Sequence, residues 1–284
     1  MMGTAIEKYK KQLAVKAKEY AAEEKITSQR VSVRGGIMKI GEDELPGNQM
    51  LAIIVDYVYE NAYYDHAYDP DVQLPPKCFA LAFSEKDLAA DEACKFPEEA
   101  DDGDYFIAQS DGDDAECSKC EFSKWGSADK GRGKKCGNRR RLAVMFAGEF
   151  IKQGKRDYSE ELYVDADHYR DAPIFQLSLS PTNMKAFSKY ASSLTKQDQL
   201  PPFAVVSNII VEPDAENQFT IDFELVEKIG EGDLSDECLG VILSRVDEAR
   251  EMLLKGYEAP SEDELAAPKV KGKNSIAARK KARR

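Results

Sequence analysis

Apolar residues recur along this chain at two different periods. Near the N-terminus Ile6, Tyr9, Leu13, Ala17 and Tyr20 return at steps of three and four with Lys and Glu between them, which predicts an amphipathic helix over residues 5–24. Beyond it the period shortens to two. Arg30–Arg34 and Ile37–Ile40 read as strands joined by a Gly35-Gly36 turn, and an acidic loop with Pro and Gly runs from Gly41 to Gln49. Met50–Tyr59 has the β-branched and aromatic content of a strand, with Val55, Tyr57 and Tyr59 alternating against Asp56, Val58 and Glu60. Further strands are expected at Cys78–Phe83 (led in by Pro75-Pro76), Tyr105–Ala108, Arg141–Phe146, Glu161–Val164 and Ile174–Leu179, with a polar connection over Gly148–Tyr158. Ser180 followed by Pro181 opens a helix reaching Ala191. Phe203–Val211 and Gln218–Val226 form a hairpin across an acidic turn, and Cys238–Leu254 is an amphipathic helix with Ile242, Val246, Ala249 and Leu253 on one stripe.

Many short strands around a single internal helix fit a small barrel better than a regularly alternating α/β sheet. The expected fold class is mainly β (α+β): an OB-like small barrel with a zinc-binding hairpin insertion, flanked by N- and C-terminal helices. The expected organisation is an N-terminal helix over 1–28, a β domain over 29–256 with its acidic loop and hairpin inserted at 85–141, and a disordered basic tail over 257–284.

Composition refines this picture. A chain of 284 residues with 42% hydrophobic content, twelve Phe and thirteen Tyr buries a substantial core. The formal charge of −12 argues against indiscriminate polyanion binding. That charge is polarised, however: residues 85–116 are acidic, the following stretch through Arg141 is basic, and the last sixteen residues are basic again. No window approaches the roughly 20 apolar residues that cross a bilayer, and the first residues lack the apolar centre of a secretory signal. A cytoplasmic protein without membrane partners is expected. Its six cysteines then point to metal ligation or burial rather than disulfides.

Cys117 and Cys120 form a C-x2-C pair, and Cys136 follows after fifteen intervening residues. Two thiolates on a tight turn and a third returning from a hairpin match a tetrahedral zinc site that wants one more ligand. Cys78, Cys94, Cys238, His66 and His168 are the candidates. Cys78 is favoured because the proline lead-in aims a thiol from a strand start, and Cys94 is its nearest rival. No βαβ pattern surrounds the C-x2-C, so a thioredoxin-like redox pair is disfavoured.

The same hairpin carries Lys124, Trp125, Lys130, Arg132, Lys134, Lys135, Arg139, Arg140 and Arg141 among Gly126, Gly131 and Gly133. Cations, glycines that admit a phosphate to the backbone, and an aromatic face for an unpaired base together point to nucleic acid. Tyr57, Tyr59 and Tyr64 extend the set as stacking residues, although strand tyrosines also line core edges with their hydroxyls outward. Catalytic signatures are scarce. Asp165, Asp167, Asp171 and His168 compose an acidic loop, which is more often solvated than Mg²⁺-binding, and no phosphate-binding glycine motif stands between a strand and a helix.

Asn61-Ala-Tyr-Tyr-Asp-His-Ala-Tyr-Asp-Pro70, Pro75-Pro-Lys-Cys-Phe-Ala80, Cys117-Ser-Lys-Cys-Glu-Phe-Ser-Lys-Trp-Gly-Ser127 and Gly133-Lys-Lys-Cys136 before Arg140-Arg-Leu142 resemble a group of bacteriophage-encoded, zinc-containing single-stranded DNA-binding and replication-associated proteins. The resemblance spans the middle third of the chain. It implies a four-cysteine zinc site of Cys78, Cys117, Cys120 and Cys136 with Cys94 spare, single-stranded DNA and phage replication proteins as partners, and an infected bacterial host as the setting. The chain departs from many single-stranded DNA-binding proteins in ending on a basic rather than an acidic tail. The function expected is non-catalytic single-stranded DNA binding in phage replication or recombination. Its alternatives are a zinc-containing transcriptional regulator or polymerase-interacting factor, and a metal-dependent nuclease using Asp165, Asp167 and His168.

Overall fold

A computed structural model describes residues 30–65, 75–91, 94, 116–129, 132–154 and 157–257. The expected helix over 1–28, the strand at Tyr105–Ala108 and the tail from 258 onward lie outside these residues, as do His66 and Lys130. Within them the fold is mixed α+β, dominated by strands, and its main sheet curls into a half-barrel.

The chain enters as a hairpin of β1 (Arg30–Arg34) and β2 (Ile37–Ile40), followed by the two-residue β3 (Asp43–Glu44). Gly35 and Gly36 both take positive φ (61° and 78°), the geometry a tight two-residue hairpin turn needs and that glycine adopts without strain. β4 (Gln49–Tyr63) is the longest strand, and β5 (Cys78–Ala82) pairs antiparallel with its far half. β6 (Gly137–Phe146), β9 (Ile174–Leu179), β10 (Val205–Asp214) and β11 (Gln218–Lys228) complete a nine-stranded sheet in the order β11-β10-β4-β6-β9-β1-β2-β3. β7 (Gly148–Lys152) and β8 (Tyr158–Leu162) form a separate hairpin.

Among the described residues, four α-helices dress this frame: α1 (Ala166–Asp171), α2 (Pro181–Ser193), α3 (Asp236–Ser244) and α4 (Val246–Leu254). None of the helices there is long and apolar enough to cross a membrane.

The sheet is buried on both faces, as a near-continuous apolar run such as Met50–Val55 requires. One face packs Leu51, Ile53, Ala143, Met145 and Val206 under Ile242 of α3 and Ala249 and Leu253 of α4. The other packs Met50, Ala52, Ile54, Leu142, Val144 and Leu177 under Phe187 and Tyr190 of α2.

A β-bulge then changes which face each β4 residue serves. The pairing with β6 passes from Ile54↔Val144 to Asp56↔Ala143, leaving Val55 as the extra residue. Beyond it Val58 joins the α3–α4 face, whereas Tyr57 packs on the α2 face. Val55 therefore shares its face with Val58 and not, as simple alternation predicts, with Tyr57 and Tyr59.

Candidate functional site

The far half of β4 runs past both helix layers and carries a third, smaller apolar cluster of Ala80, Ala82, Leu88 and Cys117, with Tyr59 against it. Here the cysteines meet. Cys78 opens β5 opposite Tyr63, held in register by the Lys77 N–H donating to the Tyr63 carbonyl at 2.8 Å. Cys117 is fixed by its own N–H on the Leu88 carbonyl (2.9 Å) beside a bridge between Ala89 and Glu116. The chain turns at once, with the Cys120 N–H reaching the Cys117 carbonyl at 3.3 Å, and makes a single 3-10 turn over Glu121–Ser123. Cys136 returns with its N–H on the Phe122 carbonyl at 3.0 Å.

One hydroxyl staples the knuckle shut. Ser127 Oγ donates to the Phe122 carbonyl and accepts from the Lys135 N–H, both at 3.0 Å. Above it the Gly126 N–H closes on the Gly133 carbonyl at 2.9 Å, and Gly126 turns with φ of 93°.

Cys78, Cys117, Cys120 and Cys136 line one apolar cavity together with Asn61, Tyr63 and Phe122. Cys94 is not among its walls. It sits behind Cys78, accepting a hydrogen bond from the Cys78 thiol and another from the Phe79 N–H at 3.2 Å.

The thiols sense one another. The hydrogen bond to Cys94 and then burial push the Cys78 thiol far up from its ordinary value. Burial also raises Cys117, and burial with the neighbouring Cys117 and Cys120 pushes Cys136 up to about 12. Cys94, which accepts these bonds, is lowered by the thiol of Cys78 and the Phe79 N–H. Among the described residues no group of three or more His, Cys, Asp or Glu side chains stands in metal-holding geometry. The fold therefore provides a shared thiol cavity rather than closed coordination. Its donor set still fits a soft divalent cation: four sulfurs in apolar surroundings, which would give up their protons on binding it.

A strip of cations and aromatic rings continues from the cavity along the α2 face. After the bulge this face receives Tyr57, Tyr59, Asn61 and Tyr63 from β4, and Asn138 and Arg140 from β6. Asn138 Nδ2 donates to Asn61 Oδ1 at 2.8 Å. The Arg140 guanidinium lies 4.5 Å from the Tyr59 ring, 5.5 Å from Tyr57 and 5.7 Å from Phe187, and donates to Ser188 Oγ at 3.1 Å. Its Nε is shielded from solvent without a hydrogen-bond partner.

On the knuckle Lys135 lies over Phe122 and pairs with Asp129 at 2.6 Å, Lys134 donates to Asn138, and Lys124 pairs with Glu121. Arg132 is exposed. Arg139, on the opposite face of β6 from Arg140, stacks over Tyr64 at 5.4 Å. Trp125 stands 75% exposed at the end of the knuckle, so it does not cover the thiols.

Arg141 must be removed from the nucleic-acid set. It is 1% exposed and donates to Glu60 at 2.8 Å and to the Lys255 carbonyl at 2.8 Å, with Tyr257 over its guanidinium at 4.8 Å. Strand alternation points it at α4, where a phosphate has no access. Tyr57 and Tyr59 are only partly exposed, and both are already engaged by Arg140.

The acidic loop is equally explicit. Asp165 caps α1 by accepting the Asp167 N–H at 3.0 Å, Asp167 pairs with Arg170, and His168 lies between the rings of Tyr163 and Tyr169. These groups serve the helix and its packing.

Comparison with protein-family models, with curated proteins and with solved structures returns no match. The geometry therefore stands by itself. Sequence spacing pointed to three of the cavity thiols and to Cys78 through its strand position. It gave no sign of the Ser127 staple or of the Cys94–Cys78 contact, which depend on where separate loops land.

Proposed function

We propose that this protein is a non-catalytic single-stranded DNA-binding protein of phage replication or recombination, in which the curled sheet acts as an OB-like platform and a zinc-held knuckle presents cations and a stacking ring. Cys78, Cys117, Cys120 and Cys136 would hold the one Zn²⁺, whose contribution is structural: it fixes the knuckle against β5. The observation that carries the reading is Trp125, a large ring left 75% in solvent at the end of a hydrogen-bonded knuckle. A ring so placed offers an open face, and an unpaired base has a face of the right size to stack on it. Lys124 and Arg132 flank it in the chain to receive the phosphates, and the Arg140–Tyr59 stack continues the surface toward α2. Zinc fits through the four soft donors that face one cavity.

Titration of the protein with a fluorescent oligothymidine and with a duplex of equal length, across a salt series, tests this. The single strand is expected to bind at least tenfold tighter, with affinity falling steeply as salt rises. Loss of one stacked ring in Trp125→Ala should cost about 1–3 kcal/mol, or roughly 5- to 150-fold in affinity. Equal affinity for duplex and single strand would overturn the proposal.

A further inference from the structure

The cavity has four thiols on its walls and a fifth behind one of them. Cys94 is 8% exposed, and its place is fixed from two directions. Its N–H reaches the Asp91 carbonyl at 2.9 Å, the Asp91 N–H reaches the Phe79 carbonyl at 2.9 Å, and the Phe79 N–H donates to Cys94 Sγ at 3.2 Å. Asp91 and Cys94 are thus docked onto the strand one residue beyond Cys78, which places the Cys94 sulfur beside that cysteine. Burial alone does not account for this placement, because a thiol that only fills space has no need of a backbone donor. A tetrahedral ion takes four sulfurs, so one member of the pair is always in surplus.

We infer that Cys78 and Cys94 form a redox pair that couples the metal site to hydroperoxide. The inference rests on the zinc reading given above, with Cys78 as the shared residue. Cys78 is partly exposed and Cys94 is buried behind it, which assigns the roles. The Cys78 sulfur, which would be deprotonated where it holds the metal, attacks one oxygen of hydrogen peroxide, forming Cys78 sulfenic acid and releasing hydroxide, which a proton converts to water. The Cys94 thiol then attacks the Cys78 sulfur. A sulfur–sulfur bond forms, the sulfenic oxygen leaves as a second water, and two electrons have passed from the thiol pair to the peroxide. Cys78 is then no longer a ligand, three thiols remain on the cavity walls, and the knuckle loses its tie to β5. Reduction by a dithiol restores both thiols.

The test uses the full chain purified with zinc, treated with hydrogen peroxide while a metal-sensitive dye follows release, and then digested with trypsin. The expected product joins the peptide of residues 78–86 to that of residues 87–95. Cys94→Ser, which leaves all four cavity thiols in place, should retain zinc in metal analysis yet release it several-fold more slowly. Dithiothreitol with added zinc should restore the wild-type metal content. If Cys94→Ser proves unstable, Cys94→Ala gives the same comparison, and the wild-type peptide map alone still decides. A map dominated by a Cys117–Cys120 bridge, or an unchanged release rate in the variant, would overturn the inference. A chain that purifies without zinc would remove the metal reading by itself; the peroxide-induced peptide map then tests the thiol pair independently.

Discussion

Arg140 and Arg141 are chain neighbours whose surroundings assign them opposite tasks. Arg141 sits with Glu60, each with a 1% exposed side chain, and the Tyr257 hydroxyl donates to the same Glu60 oxygen. Two carbonyls at the end of α4, those of Leu253 and Lys255, accept from its Nη1, while its Nε is buried without a hydrogen-bond partner. Removing one partner of such a pair strands the other's charge in the interior, which costs about 3–5 kcal/mol. Arg141→Met is therefore expected to lower the denaturant midpoint sharply, and Arg141→Met with Glu60→Leu should recover part of that loss. A single variant within about 0.5 kcal/mol of wild type, a value ordinary for surface positions, would refute the buried-pair account. Arg140→Ala should cost less stability than Arg141→Met, losing the packing over Tyr57, Tyr59 and Phe187 and the Ser188 bond, while weakening single-strand binding and reducing the salt slope by about one. In sequence the two residues are indistinguishable members of one basic run; only the strand's alternation, with α4 on one side, separates them.

Segments with a strong local period came through best. The β1–β2 turn rests on two glycines with positive φ, and the β10–β11 hairpin and α2 form where their periods and their proline and glycine punctuation indicate. Three features hid for physical reasons. β7 reads as a polar connection because Phe150 is its one large core residue, and Gly148 is required where a Cβ would stand 2.3 Å from the Glu161 carbonyl oxygen of β8. The bulge at Val55 inverts the faces of β4 without any local signature, since both its sides are apolar or aromatic. The expected helix over Cys238–Leu254 breaks at Arg245 (φ −97°, ψ 0°), although its apolar stripe continues across the break. That arginine donates to the carbonyls of Tyr169 (2.9 Å), Arg170 (2.8 Å) and Ala172 (3.1 Å), satisfying the end of α1. Charged hydrogen bonds of this kind are worth about 1.5–3 kcal/mol each. Arg245→Ala should accordingly lower Tm by several degrees in a thermal melt, with zinc content unchanged. A melt superimposable on wild type would show these bonds to be dispensable.

With a formal charge of −12, the chain repels a polyanion from most directions, so the binding proposed above would be local and would depend on how firmly the knuckle is held. The layout separates that surface from the main body. The two large apolar clusters lie between the sheet and its helices, while Cys117 belongs to a small cluster of its own at the far end of β4 and β5. Tyr257, expected as the first residue of a disordered tail, instead packs on Phe79 at 5.1 Å and bonds Glu60. Stripping zinc with a chelator should then loosen the knuckle without dismantling the sheet. The expected result is a far-UV spectrum and main unfolding transition close to those of the loaded protein, with single-strand affinity reduced at least tenfold and recovered on adding zinc. Deleting residues 258–284 should lower affinity through salt-sensitive contacts alone, because those residues carry cations and none of the cavity thiols. The two manipulations are therefore expected to differ in kind: the tail deletion flattens the salt dependence, and zinc removal abolishes the benefit of Trp125, so that Trp125→Ala no longer weakens binding once the metal is gone. If Trp125→Ala weakened the stripped protein as much as the loaded one, the metal would have no part in presenting that ring.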